Sequence, residues 1–211
     1  GGAVERQVEM MRTRCGLEVT VGVELEFHLL REKDAKDGGG REAVDGYNWA
    51  HSRALDEQAE FIATLLDYLS AQDIPAELVH GESSGGQFEL VLPYTDPLTA
   101  ADRLVAARAS LFAAARFHDL RATLVPKFAA ASAGSGLHLH LGLRSPAPSA
   151  ARNALADPAH PAGLSRTARG LVAGVLRHVG ALVAVTAPTG NSYRRMTAGA
   201  WAGRIRRRWC G

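Results

Sequence analysis

At 211 residues, the chain is long enough for one substantial core. With 46% apolar and 22% charged residues and a formal net charge of +2, it offers no global attraction for nucleic acid or an anionic membrane. Cys15 and Cys210 form neither a metal-type spacing nor a disulfide framework, the start Gly1-Gly2-Ala3-Val4-Glu5 shows no basic region followed by an apolar run of the signal-peptide kind, and the apolar run from Gly180 to Ala187 is too short to span a bilayer. A reduced compartment is expected, cytoplasmic with an organelle as the alternative, and with no membrane and no nucleic-acid partner.

In chain order, residues 3–15 read as a short helix ending at Gly16. Residues 18–30 alternate and are rich in branched side chains, which predicts a strand. Residues 31–46 are charged and contain Gly38-Gly39-Gly40, a loop signal. Leu55, Phe61, Leu65, Leu66 and Leu69 give residues 54–71 an amphipathic helical period. Short strands are expected near 75–80 and 86–92. Asp96-Pro97 then opens a long helix to about His118, with Asp as cap and Pro in the first turn. Strands follow at 121–126 and 136–143, then a proline-rich connection over 144–162. A helix over 163–185, broken near Gly180, completes the pattern. Strands and helices without a regular βαβ alternation predict an α+β fold.

Glu24 and Glu26 are two apart on a strand, so both leave the same face. Two like charges among Val21, Val23, Leu25 and Phe27 cost free energy unless a cation joins them; a solvated strand face is the plain alternative. Glu82 and Glu89 flank the tight segment Ser83-Ser84-Gly85-Gly86-Gln87-Phe88, and Gly134-Ser135-Gly136-Leu137-His138-Leu139-His140-Leu141 puts two histidines on one strand face. One histidine in an apolar strand is ordinarily a satisfied core residue. Four glutamates and a histidine on separate strands instead suit two oxygen-rich sites for magnesium or manganese, with zinc disfavoured by the absence of a thiolate.

Five segments carry a resemblance. They are Gly22-Val23-Glu24-Leu25-Glu26-Phe27, residues Gly81 to Glu89, Arg121-Ala122-Thr123-Leu124-Val125-Pro126-Lys127, Gly134 to His140, and Ala187-Pro188-Thr189-Gly190-Asn191-Ser192-Tyr193-Arg194-Arg195. In this order they resemble the signatures of the type I glutamine synthetase catalytic domain, from about residue 3 to residue 202. Gly46-Tyr47-Asn48-Trp49 and His80-Gly81-Glu82-Ser83 resemble the FluG and nodulin-like branch.

The resemblance implies a curved, mainly antiparallel sheet that carries the active site and is flanked by helices. It implies one metal at Glu26, Glu82 and Glu89, and a second at Glu24 and His138 with one further glutamate. His140 is implied beside the nucleotide phosphates, Gly134 as a backbone contact to glutamate, and Arg195 on the substrate carboxylate, against the alternative of Arg194-Arg195 as a solvated surface pair. The implied activity is an ATP-dependent glutamate–ammonia ligase that uses Mg2+ or Mn2+, proceeds through a γ-glutamyl phosphate, and is a homo-oligomer in full-length relatives.

Departures are equally visible. Ala133 stands where the family's well-studied enzymes have asparagine, and Gly142 where many have serine, which opens the alternative of an amine other than ammonia. No N-terminal β-grasp domain is recognisable, and the Asn-Arg motif and last metal-binding glutamate expected after Gly203 are replaced by Arg204-Ile205-Arg206-Arg207-Arg208-Trp209-Cys210-Gly211. Residues 1–203 are therefore read as a partial catalytic domain. The basic tail 204–211 is read as a truncated or mis-spliced end, with a nucleic-acid or targeting role as its alternative. A non-catalytic remnant kept for binding or assembly is the further alternative for the chain as a whole.

Overall fold

The computed structural model describes residues 2–34, 36, 39–146 and 153–197. The basic run at 204–211 lies outside the described residues. Helix α1 spans Gly2–Cys15 and strand β1 spans Glu18–Glu32. Strand β1 is the centre of the sheet. Val21, Val23, Leu25, Phe27 and Leu29 are buried on one of its faces, while Glu24, Glu26 and His28 alternate onto the other.

Strand β2, Arg41–Ala43, lies inside the segment expected to be a loop. It pairs antiparallel with β1 and is fastened by cross-strand ion pairs, Arg41 to Glu32 at 2.8 Å and Arg31 to Glu42 at 3.0 Å. The single helix expected over 54–71 is two, α2 at Ser52–Glu57 and α3 at Ala59–Ser70. Gln58 between them leaves the helical region, with φ −109° and ψ 18°. Strands β3, Leu78–Gly81, and β4, Gln87–Thr95, form an antiparallel pair. Helix α4, Pro97–Phe117, starts as expected: Asp96 Oδ1 accepts from the Leu98 and Thr99 amides at 3.1 and 3.0 Å.

Strand β5 stops at Thr123 (Arg121–Thr123) because the Thr123 hydroxyl accepts from the Val125 amide and turns the chain ahead of Pro126. Strand β6 is Leu137–Arg144. Helices α5, Arg166–Arg177, and α6, Val179–Thr186, meet at 67°. Their break falls at His178, whose amide is shared between the Gly174 and Val175 carbonyls, and not at Gly180. A last helix, α7 at Gly190–Arg195, was not foreseen; Thr189 caps it through the Ser192 amide. Among the described residues, the sheet runs β2-β1-β4-β3, with β5 and β6 also on β1. No single helix there is long and apolar enough to cross a membrane.

The chain divides into two compact units. One is built from Gly1–Gly22, Tyr94–Asp102 and Leu139–Pro188, the other from Val23–Pro93, Arg103–His138 and Thr189–Gly211. The core of the second unit is aromatic and aliphatic. The Phe27 ring stacks on Phe88 at 5.9 Å and meets Phe61 edge-on at 6.3 Å. Phe61, Leu65 and Leu69 recur every four residues on α3, and Leu90 and Leu111 join them in the interior. In the first unit, Val4, Val8, Met11, Val19, Val21 and Leu141 line an apolar cavity of about 370 Å³.

Candidate functional site

Strand register explains which carboxylates meet. His80 on β3 stands directly opposite Glu89 on β4, and Glu82 follows two residues after His80. A tight return closes there, with the Glu82 amide donating to the Gln87 carbonyl at 2.7 Å. Gly86 turns at φ +66°, and a Cβ on it would lie 2.8 Å from the Leu29 carbonyl oxygen. A side chain at this position would push Glu82 and Glu89 away from β1.

Two groups of metal-capable side chains result. Glu24, Glu89 and His138 each bring a ligand atom within 4.8 Å of the others, and so do His80, Glu82 and Glu89. Glu89 therefore belongs to both. His138 Nδ1 lies 3.0 Å from Glu24 Oε2, and its Nε2 lies 3.6 Å from Glu26 Oε1. Glu26 itself is buried and joins neither group. Its Oε2 accepts from the Gly136 amide at 2.8 Å and from Gln87 Nε2 at 3.1 Å, while Oε1 faces His138. Glu82 accepts from the Ser83 amide and hydroxyl, both at 2.8 Å.

The electrostatics favour a cation. Burial raises the Glu26 carboxyl above its ordinary pKa, against the Gly136 hydrogen bond and the His138 ring, and the charge of Glu82 pushes it further up. Burial and then the charge of Glu24 raise Glu89, against its bond to His80. Burial pulls the His80 imidazole down, but its bonds to the Gly81 carbonyl and Glu89 and the charges of Glu89 and Glu82 outweigh it, so the net shift is upward. His80 Nδ1 faces the Gly81 carbonyl at 3.1 Å, which leaves Nε2 directed at Glu89. A metal-binding histidine commonly has this second-nitrogen contact to a backbone carbonyl. Carboxylates crowded with imidazole nitrogens form an oxygen-rich donor set of the kind that holds magnesium or manganese.

The sequence reading missed His80 as a candidate ligand. Its signal was its place two residues before Glu82, at the end of the expected strand near 75–80. The resemblance put Glu26, Glu82 and Glu89 on one metal and Glu24 with His138 on the other; the side chains gather as Glu24, Glu89 and His138, and as His80, Glu82 and Glu89.

The glycine-rich turn lies under Arg195. A Cβ on Gly134 would come within 2.5 Å of Arg195 Cγ and 2.7 Å of the Pro126 carbonyl oxygen, and one on Gly136 within 2.5 Å of Arg195 Nη2. Arg195 is half-buried, and its Nε is buried without a hydrogen-bond partner among the described residues. It reaches this position because Asn191 docks α7 on the Lys127 backbone. Asn191 Oδ1 accepts from the Lys127 amide at 2.7 Å and its Nδ2 donates to the Lys127 carbonyl at 2.9 Å. Burial lowers the Lys127 ammonium pKa, and the neighbouring Arg195 charge adds to the shift. The arrangement places a half-buried guanidinium over a turn of two glycines and a buried serine, and its planar fork suits a carboxylate ligand.

His140 belongs to the other unit, where its exposed ring meets Tyr94 edge-on at 6.5 Å. Gly142 also lies there; a Cβ would fall 2.4 Å from Thr20 Oγ1, so Thr20 fills the space a serine side chain would need.

A sequence profile for the glutamine synthetase catalytic domain matches residues 2–209. The glutamine synthetase of Halobacterium salinarum is 35% identical over 195 residues, covering 89% of this chain and 42% of that protein. The gamma-glutamylpolyamine synthetase GlnA3 of Streptomyces coelicolor is 34% identical over 190 residues, covering 90% of this chain and 40% of its own length. A solved structure described as a novel glutamine synthase homolog superposes with a TM-score of 0.79 at 30% identity, over 92% of this chain and 42% of that one. The chain thus spans about 40% of the length of these relatives.

Proposed function

Because this chain belongs to the glutamine synthetase family through its catalytic domain, we propose that it carries the metal-holding part of an ATP-dependent ligase that joins an amine to the γ-carboxyl group of glutamate. The observation that carries this reading is the sharing of Glu89 between two ligand groups on adjacent strands, beside an arginine laid over a glycine turn. In the proposal, Glu24, Glu26, Glu82, Glu89 and His138 serve as metal residues, with His80 added. Arg195 and the Gly134 backbone bind glutamate, and His140 serves the nucleotide. Residues 1–203 form the partial domain, the FluG and nodulin-like branch is its place in the family, and homo-oligomeric assembly belongs to the full-length protein.

The chemistry fits these parts. Transfer of the ATP γ-phosphoryl group to glutamate brings two anions together, and bound Mg2+ or Mn2+ would supply the countercharge. Glu24, Glu82 and Glu89 supply hard oxygen donors. His138 and His80 add nitrogen donors held by Glu24 and by the Gly81 carbonyl. The Arg195 fork orients the substrate carboxylate by paired hydrogen bonds. An amine then displaces phosphate from the acyl phosphate.

Ammonia is the amine of the first reading. An organic amine is the second, and two observations favour it: Ala133 replaces the asparagine expected beside the glutamate, and GlnA3 of Streptomyces coelicolor is named for polyamine. Phosphate release from ATP with glutamate, with and without ammonium or putrescine, separates the readings. Ammonium-dependent release supports the first and putrescine-only release the second. No release under any condition, from a chain that binds Mn2+, supports a non-catalytic domain.

A further inference from the structure

The three residues of the Gly134–Ser135–Gly136 turn are each held by a different buried side chain of the same unit. Gln87 Nε2 donates to the Gly134 carbonyl at 3.2 Å, His28 Nδ1 lies 3.0 Å from Ser135 Oγ, and Glu26 Oε2 accepts from the Gly136 amide at 2.8 Å. His28 has no exposed surface, and its other nitrogen, Nε2, lies 3.1 Å from Ser84 Oγ. Ser84 Oγ in turn contacts Gln87 Oε1 at 3.1 Å. These contacts make one continuous chain from Ser135 to Glu26.

Its hydrogen positions follow from donor and acceptor inventories. The Gly134 oxygen is a carbonyl and only accepts, so the Gln87 amide must turn its nitrogen there and its oxygen to Ser84. Ser84 has one hydroxyl hydrogen, which goes to that oxygen. It must then accept from His28, so His28 carries its hydrogen on Nε2. The bare Nδ1 accepts from the Ser135 hydroxyl. Reversing any one link leaves two acceptors facing each other in a buried site, which costs the desolvation of both.

We propose that His28 is a positioning residue: as the Nε2–H tautomer it sets the direction of this chain and thereby holds Glu26 and the glycine turn under Arg195. Glu26 Oε2 is tied down by Gln87 and Gly136, and only Oε1 is left facing His138. His28 also links two loops distant in sequence, the Ser84 return and the Ser135 turn, to the strand that carries Glu24 and Glu26. In its last arm the test below rests on the metal reading of this site; in the first two it does not.

A long-range proton–nitrogen spectrum of the histidine-labelled chain, with His28 assigned by its loss in His28→Phe, is expected to show Nε2 protonated and Nδ1 bare. The opposite tautomer or a doubly protonated ring at neutral pH would overturn the proposal. Gly136 amide exchange is expected to be faster in His28→Phe and to slow again in His28→Gln, whose amide reaches Ser84. Leu65→Ala, a core change remote from the chain, serves as the control, and equal acceleration in Leu65→Ala and His28→Phe would reduce His28 to a packing residue. Manganese should bind His28→Phe about ten- to a hundredfold more weakly than wild type, as for other residues that support metal ligands, with Leu65→Ala unchanged. Unchanged manganese affinity in His28→Phe would contradict the positioning role. A wild-type chain that binds no manganese removes the metal reading, and the spectrum and the exchange rates still decide on His28.

Discussion

His28 makes the stability of the metal-free protein depend on pH. Burial, with Lys127 adding to it, lowers its pKa from 6.5 to about 4. The unfolded chain takes up a proton near 6.5 and the folded chain does not, so acid favours unfolding between the two values. Stability is expected to fall by about 3 kcal/mol from pH 6.5 to pH 4 through this residue. Glu26 and Glu89, both raised, act in the opposite sense: their contribution is greatest at low pH and is lost as pH rises through their folded pKa values. The difference in urea stability between wild type and His28→Asn, followed across this range in chelator, isolates the histidine; a pH-independent difference would contradict its buried neutral state. The two glycines under Arg195 give a second contrast. Gly134→Ala collides with the Pro126 carbonyl, which is backbone, and should cost about 1–3 kcal/mol. Gly136→Ala meets side-chain atoms only, the end of Arg195 at 2.5 Å and Glu26 Oε1 and His138 Nε2 at 3.2 Å, and should cost less in urea unfolding while weakening glutamate binding more. The reverse ranking would contradict the packing described.

Helix α7 stands on two hydrogen bonds between the Asn191 side chain and the Lys127 backbone, one accepted and one donated by Asn191. Asn191→Ala should cost about 1–3 kcal/mol and release the Lys127 amide to fast hydrogen exchange, with α3 unaffected. Unchanged exchange at Lys127 would show that α7 is held by other contacts. This helix was not legible in the sequence because Gly190, Asn191 and Ser192 have weak helical propensity, and its support comes from a residue 64 positions away. Strand β2 was missed for a related reason: Arg41, Glu42 and Ala43 lack an apolar period, and ion pairs with β1 hold them. Strand β1 and helix α4 were readable because alternation and the Asp96-Pro97 cap are local signals. The break after α5 was misplaced at Gly180 because composition marks glycine, whereas the shared hydrogen bonding falls at His178.

At the scale of the molecule, the sequence singled out Glu24, Glu82, Glu89 and His138, and the fold brings them close together with His80. Alternation gives Glu24 and Glu26 one face, but only the β3–β4 register brings His80 opposite Glu89 and lets one carboxylate serve two groups. Helices α5 and α6 leave Val172, Val175, Leu176, Val179, Leu182 and Val185 exposed, an apolar surface on a chain that spans about 40% of its relatives' length. Apolar side chains exposed in such number favour burial against another surface. If this face joins copies of the chain, Leu176→Lys with Val185→Lys lowers the apparent mass in light scattering; an unchanged mass would contradict such a contact. The shared glutamate offers the most direct test of the proposed metal-holding function: calorimetric titration of manganese into wild type, Glu89→Ala and Glu82→Ala. Glu89→Ala should abolish or weaken binding at both groups, whereas Glu82→Ala should weaken one and leave the other; manganese binding that is unchanged in Glu89→Ala would contradict a metal centre built on these strands.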